Sequence, residues 1–270
     1  MPEFIFHICS PSEAANLRST GALRPASLAT EGFVHCCFRG QIAGVLQRYF
    51  RGAGELALLE LDARSVGPTR VEAPPGASEG FPHVYGSLPL AALRRVHALK
   101  PHDGGHALPS ELAADDAREA AELDALLASQ RWFDHPEGPR FVETQRDAHR
   151  TCGLWLLTPG RSAAFHRVRN GAELWIAQRG SILLHVLDSD GAATTHRLGL
   201  DVAHGEQPVV AVPRDAWQAA ELAPGEPFAM GANVCAPPFE FNAWELGARS
   251  ALTARWPQHR ALFERLAQES

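Results

Sequence analysis

The sequence predicts two folds in tandem, an α+β unit followed by an all-β sandwich or jelly-roll barrel with flanking helices. Its 270 residues are about twice a modal domain of ~150, so each half can bury its own core. The first hundred residues alternate short β-rich runs with helical periodicity. Beyond residue 153, eight short strand-like runs follow one another between Pro-Gly, Asn-Gly and Asp-Gly turns, which is the pattern of a sandwich or barrel. With 45% apolar and 21% charged residues the chain is an ordinary globular one.

Taken in order, residues 4–9 form the first strand. Ser10-Pro11 with Glu13 starts a helix that Gly21 ends. Residues 33–38 read as a strand, and 41–50 as a helix with Ile42, Val45, Leu46 and Tyr49 on one face. Further strands fall at 56–61, 69–72 and 94–99. The stretch KPHDGGHALPS at 100–110 has no period and reads as a linker. Ser110 then caps a helix, with Leu112, Ala120, Leu123, Leu126 and Leu127 spaced for burial up to about residue 130. The domains are therefore expected at 1–100 and 116–270, with a linker at 101–115.

The second domain's strands are expected at 154–157, 163–168, 173–177, 181–187, 196–198, 209–212, 217–222 and 228–234, before a closing helix at 250–268. Asn170-Gly171 is the strongest short hairpin signal, because a type I′ turn needs positive φ at both central residues. A hairpin closed there pairs Val168 with Glu173 and His166 with Trp175, and puts all four on one face. His166 and Glu173 then become diagonal neighbours, close enough to share one ligand.

A net charge of −6, with no basic run longer than Arg94-Arg95, argues against a nucleic-acid partner. The start MPEFIFHICS lacks a basic segment followed by a long apolar one, and no run approaches 18 apolar residues. A cytoplasmic protein without a membrane partner is the expectation. The five cysteines are odd in number and include no C-x-x-C pair, so buried free thiols are expected.

Gly160, His166, Val168, Glu173 and Gly180 follow the spacing of the first cupin motif, with valine at the second histidine position. In PRDAWQ, Gln218 stands where the second motif has histidine. The segments HPEGPRFVET, LLTPGRSAAFHRV, VPRDAWQAAEL and APPFEFNAWEL resemble, in order, the cupin branch called domain-of-unknown-function family 985. That resemblance implies a jelly-roll barrel, commonly a homodimer, with a small-molecule pocket in its mouth. Two chemistries stay open there. A divalent transition metal could use His166, Glu173 and the weaker Gln218; or His166 and Glu173 could act as an acid/base pair in a pocket walled by Val168, Trp155, Trp175 and Trp217, suited to a sugar or other polar ring. A structurally satisfied His–Glu pair without chemistry is the third reading.

In the first domain FIFHICS, SLATEGFVHCC and FPHVYGSL bring His7, His35 and His83 near strand ends, with Ser27, Glu31 and Tyr85 close by. Residues 3–99 resemble domain-of-unknown-function family 952, whose members look like the ADP-ribosyltransferase fold. The resemblance implies NAD as cofactor, with His7 on a ribose and His35 or Tyr85 on the nicotinamide side. Catalytic roles would fall to His7, His35, His83 and Tyr85, with Ser27 among the cofactor contacts. Glu31 and Glu72 are the candidates for a catalytic glutamate. The chain is thus expected to be an enzyme acting on a nucleotide, sugar or related metabolite, with a non-catalytic sensor or a structural dimer as alternatives.

Overall fold

A computed structural model describes residues 4–74 and 79–269. The chain divides into two compact units, Met1–Ala120 and Ala121–Ser270. The helix Ser110–Ser129 crosses the division. Ahead of it, where an irregular linker is expected, Pro101–His102 pairs with Gly105–His106 as a small hairpin. Its turn residues Asp103 and Gly104 both have positive φ, so the Asp-Gly pair is a turn signal in its own right.

In the first unit Phe4–Cys9, Leu56–Asp62 and Leu93–Leu99 form an antiparallel sheet with Leu56–Asp62 in the middle. Alternation along Phe4–Cys9 sends Ile5 and Cys9 into one apolar cluster and Phe6 and Ile8 into another. Both faces of the sheet are therefore covered. The helix Pro11–Thr20 carries the expected capping box between Ser10 and Glu13, and it ends at Gly21 with φ 80°. A second small sheet runs Val34–His35, Phe81–Val84, Thr69–Glu72. The expected strand at 33–38 shrinks to Val34–His35 because its central neighbour contains Pro82. That carbonyl accepts from Cys36 N at 2.9 Å, but proline returns no N–H and regular pairing ends there.

The second unit is a two-sheet sandwich. One sheet runs, in spatial order, Phe133–Asp134, Arg140–Arg146, Thr151–Leu157, Ala229–Ala236, Ala172–Arg179 and Val209–Val212. The other runs Ala193–Leu198, Ile182–Leu187, Trp217–Leu222, Ser162–Val168 and Trp244–Leu246. Residues from both sheets, including Trp155, Trp175, Ile182, Leu184 and Ala220, fill one apolar core. Gly231 pairs with Trp155. A Cβ there would meet the carbonyl oxygen of Ile176 at 2.0 Å and the Trp155 ring at 2.4 Å, so the close approach requires glycine.

The expected hairpin across Asn170-Gly171 does not form. Ser162–Val168 pairs with Trp217–Leu222 and Trp244–Leu246, whereas Ala172–Arg179 pairs with Ala229–Ala236 and Val209–Val212. Residues 169–171 are a corner that carries the chain from one sheet to the other. A hydrogen bond from Arg169 N to Ala243 O (2.8 Å) fixes the corner's first residue to the returning chain. Competition from these longer-range strands overrides the local turn preference. The closing helix is likewise divided, into Arg249–Arg255 and Arg260–Leu266 around a 3-10 turn at Pro257–His259, as a proline within a helical run dictates. No helix among the described residues is long and apolar enough to cross a membrane.

Candidate functional site

The second unit contains a narrow cavity of about 40 Å³ whose walls include His135, Glu137, His166, Val168, Glu173 and Asn233. His166 and Val168 come from one sheet and Glu173 from the other. The three line the same space, as the sequence suggests, but from facing sheets instead of one hairpin.

Glu137 arrives on a tight turn, with Gly138 N donating to His135 O (2.8 Å) and Ala164 N donating to Glu137 O (2.7 Å). Gly138 has φ 126°, and a Cβ there would lie 2.1 Å from Ser162 O, so glycine lets this turn abut the neighbouring strand. The result is a buried carboxylate beside two imidazoles. Glu137 Oε2 lies 3.3 Å from His166 Nε2 and 3.2 Å from His135 Nδ1, and it accepts from Trp244 Nε1 at 3.2 Å. His135 Nδ1 is off the hydrogen-bond axis and has no hydrogen-bond partner among the described residues. His166 Nδ1 sits 2.8 Å from Ala164 O. A carbonyl only accepts, so Nδ1 carries a proton and Nε2 is the nitrogen that faces Glu137.

Across the cavity, Trp175 Nε1 donates to Gln218 Oε1 at 2.8 Å, which fixes the direction of that amide. Gln218 Nε2 then donates to Glu173 Oε2 at 2.5 Å, and Asn233 Nδ2 donates to Glu173 Oε1. The two buried carboxyls are driven apart. Burial opposes the charge on Glu137, but His166, His135 and the Trp244 indole together hold its carboxyl below the ordinary value. Burial pushes the Glu173 carboxyl up, the Glu137 charge adds to this, and His166 and the two amides only partly counter it.

The expected ligand set of His166, Glu173 and Gln218 is engaged by protein partners and does not by itself fit a metal ion. Val168 offers no donor, Glu173 is bound by two amides, and His166 has one nitrogen on a carbonyl and the other on Glu137. No group of three or more His, Cys, Asp or Glu able to hold an ion occurs among the described residues. Gln218 acts here as the orienting partner of Glu173. The expected aromatic walls are also corrected. Trp155 and Trp175 are each 1% exposed in the sandwich core, and Trp217 packs with Phe165 and Leu252 under the closing helices. Phe141, Phe239 and Trp244 wall the cavity instead.

The first unit has its own, larger cleft, about 730 Å³, lined among others by Phe33, His35, Glu72, His83 and Tyr85. Phe33 stacks on His83, with ring centres 4.0 Å apart and planes at 17°. Glu72 Oε2 accepts from Tyr85 OH at 2.8 Å and lies 2.9 Å from His83 Nδ1. The Tyr85 bond, with His83, holds the Glu72 carboxyl below its ordinary value, and the same bond raises the phenol. Glu31 lies 3.1 Å from His35 Nε2 and also lines the cleft. His7 and Ser27 are not among the cleft's walls. His7 is buried, donates from Nδ1 to His35 O at 2.7 Å, and is held in its neutral form chiefly by that burial. Ser27 lies on the short helix Ala26–Thr30.

Residues 8–96 match the family model described as protein of unknown function (DUF952). Residues 124–247 match the cupin superfamily model (DUF985). By sequence, then, a DUF952 segment precedes a cupin segment. No curated protein matches the chain. Among solved structures, a Shewanella oneidensis protein is 26% identical, covering 54% of this chain and 98% of that one, with a TM-score of 0.52. A hypothetical protein from Leishmania major is 24% identical over 54% of this chain and 98% of its own, at a TM-score of 0.50, a likeness of fold alone. With those matches and the two facing sheets, the cupin segment fits a β-barrel of cupin type.

His135, Glu137, Asn233 and the three aromatic walls escape the sequence reading. Their one local signal is the His135-Pro136-Glu137 alternation inside HPEGPRFVET, two polar residues that bury while the proline between them stays exposed.

Proposed function

We propose that the cupin unit is the reactive part of the protein and catalyses proton transfer on a small polar metabolite, with Glu137, His166 and Glu173 as the acid/base groups. The observation that carries this reading is the pair of buried carboxyls in one cavity whose proton affinities are driven in opposite directions. Such a separation is how one site supplies both an acid and a base. His166 can exchange a proton only at Nε2, because Nδ1 is tied to Ala164 O. Glu137 compensates the charge when that proton is present. Glu173, with its carboxyl raised, exchanges a proton closer to neutrality than a solvent-exposed carboxyl does.

For the first unit we propose the binding of a planar ring against the Phe33–His83 stack. An ADP-ribosyltransferase-like domain would place a nicotinamide or adenine ring in such a cleft, which falls within the ~300–1,000 Å³ of ordinary ligand pockets. No Lys or Arg is among its described walls, and Arg70 stands over the ring of Tyr85, 4.9 Å from its centre.

The test is incubation of the full chain in D2O with a panel of aldoses, ketoses and their amino derivatives, read by NMR for deuterium at carbon. Exchange into one panel member, lost in Glu137→Gln while the thermal midpoint is kept, supports the reading. A panel member that binds in this cavity without exchange or turnover overturns it in favour of a binding protein.

A further inference from the structure

We infer that the cupin cavity recognises a primary ammonium group, so that its ligand is a small amine such as an amino sugar or amino alcohol. This rests on the cavity being the ligand site proposed above and adds the charge of what enters it.

The first argument is the balance of donors and acceptors. Glu137, Glu143 and Glu173 all line the cavity, and its described walls include no Lys or Arg. Glu143 is partly compensated by Arg146 at 2.8 Å, but Glu137 has only imidazoles and an indole around it. All of these contacts fall on Oε2, and no described residue donates to Oε1. Asn233 is 7% exposed, and its Oδ1 is buried without a hydrogen-bond partner. The walls thus present acceptor oxygens that lack donors, beside a His135 Nδ1 that also has no hydrogen-bond partner among the described residues. A hydroxyl brings one proton and two lone pairs that themselves need donors; an ammonium brings three protons and no lone pair. A phosphate or carboxylate would add negative charge beside Glu137 with no Lys or Arg among the described walls to meet it.

Size and aromatic walls point the same way. A cavity of about 40 Å³ holds roughly three waters, the volume of an ammonium group and its adjoining carbon. Phe141, Phe239 and Trp244 line it, and aromatic faces attract cations.

The test is calorimetric titration of the full chain with matched pairs: ethanolamine against ethylene glycol, glucosamine against glucose, and glucose 6-phosphate as the anion. The amine of at least one pair should bind about tenfold or more tightly than its alcohol, as expected of hydrogen bonds to a charged group. Glu137→Gln should reduce that preference, and the wild-type comparison stands by itself if the variant fails to fold. Equal binding of amine and alcohol, tighter binding of the phosphate, or no binding of either amine overturns the inference. Amine binding without deuterium exchange leaves it standing while the catalytic reading falls. Exchange on a neutral sugar with amines excluded does the reverse.

Discussion

Replacing Glu173 by glutamine should stabilise the cupin unit at neutral pH while abolishing its chemistry. In the native site both carboxylate oxygens accept amide protons, from Gln218 and Asn233. The Gln218 amide cannot turn, because Trp175 Nε1 holds its oxygen. A glutamine at 173 can accept from Gln218 through its oxygen and donate its amide to Asn233 Oδ1 once that side chain turns over. This pairs an oxygen that is otherwise an orphan, while Asn233 Nδ2 takes over the unpaired position. The folded state raises the Glu173 carboxyl above its ordinary 4.5, so the native protein binds a proton that the unfolded chain has released. Wild-type stability therefore falls as pH rises from about 4.5 through the folded value. The variant has no such loss. Its advantage should be near zero below about pH 4 and reach a plateau above the folded value. The gain from no longer burying that charge is about 1–3 kcal/mol, or roughly 3–10 °C in Tm for a unit of this size. Calorimetric scans of both proteins between about pH 4 and pH 8 measure it. A variant less stable at every pH, or one whose offset does not change with pH, would refute the reasoning.

Other substitutions probe the scaffold. Trp175→Phe removes the donor to Gln218 Oε1 and leaves a buried acceptor unpaired; urea denaturation should show a loss of about 1–3 kcal/mol, and an unchanged midpoint would contradict the orienting role. Gly231→Ala drives a methyl into the carbonyl of Ile176 and the Trp155 ring, so a lowered Tm is expected, by at least the ~1–3 kcal/mol of overpacking. Burial pushes the Cys9 and Cys37 thiols up to about 12. At about pH 8 a thiol reagent should leave both unlabelled in the folded chain and modify them in denaturant; rapid labelling of either in the native state would count against that burial.

The first strand, the capped first helix and the strands Val209–Val212 and Trp217–Leu222 have the bounds their residues suggest, because periodicity and capping are local properties. Pairing is not local. Asn170-Gly171 carries a good turn signal, yet what decides the partners of Ser162–Val168 is strands some 50 to 80 residues further on. The site divides along the same line. His166 and Glu173 were legible from motif spacing, and they do share a cavity. Glu137 and Asn233 reach it only through sheet closure, which no window of sequence records. Trp155, Trp175 and Trp217 mislead because a large aromatic reads alike whether it walls a pocket or fills a core.

The hydrogen bond from Trp244 to Glu137 joins residues 107 positions apart. The cavity wall it completes therefore exists only once the first and last strands around it have both docked. Removal of Trp244–Leu246 would leave most of the sandwich able to pair but the Glu137 carboxylate without its indole donor. Ligand affinity in this unit thus doubles as an assay of complete folding: whatever binds the cavity binds the finished chain alone, and so protects the whole unit against unfolding by mass action.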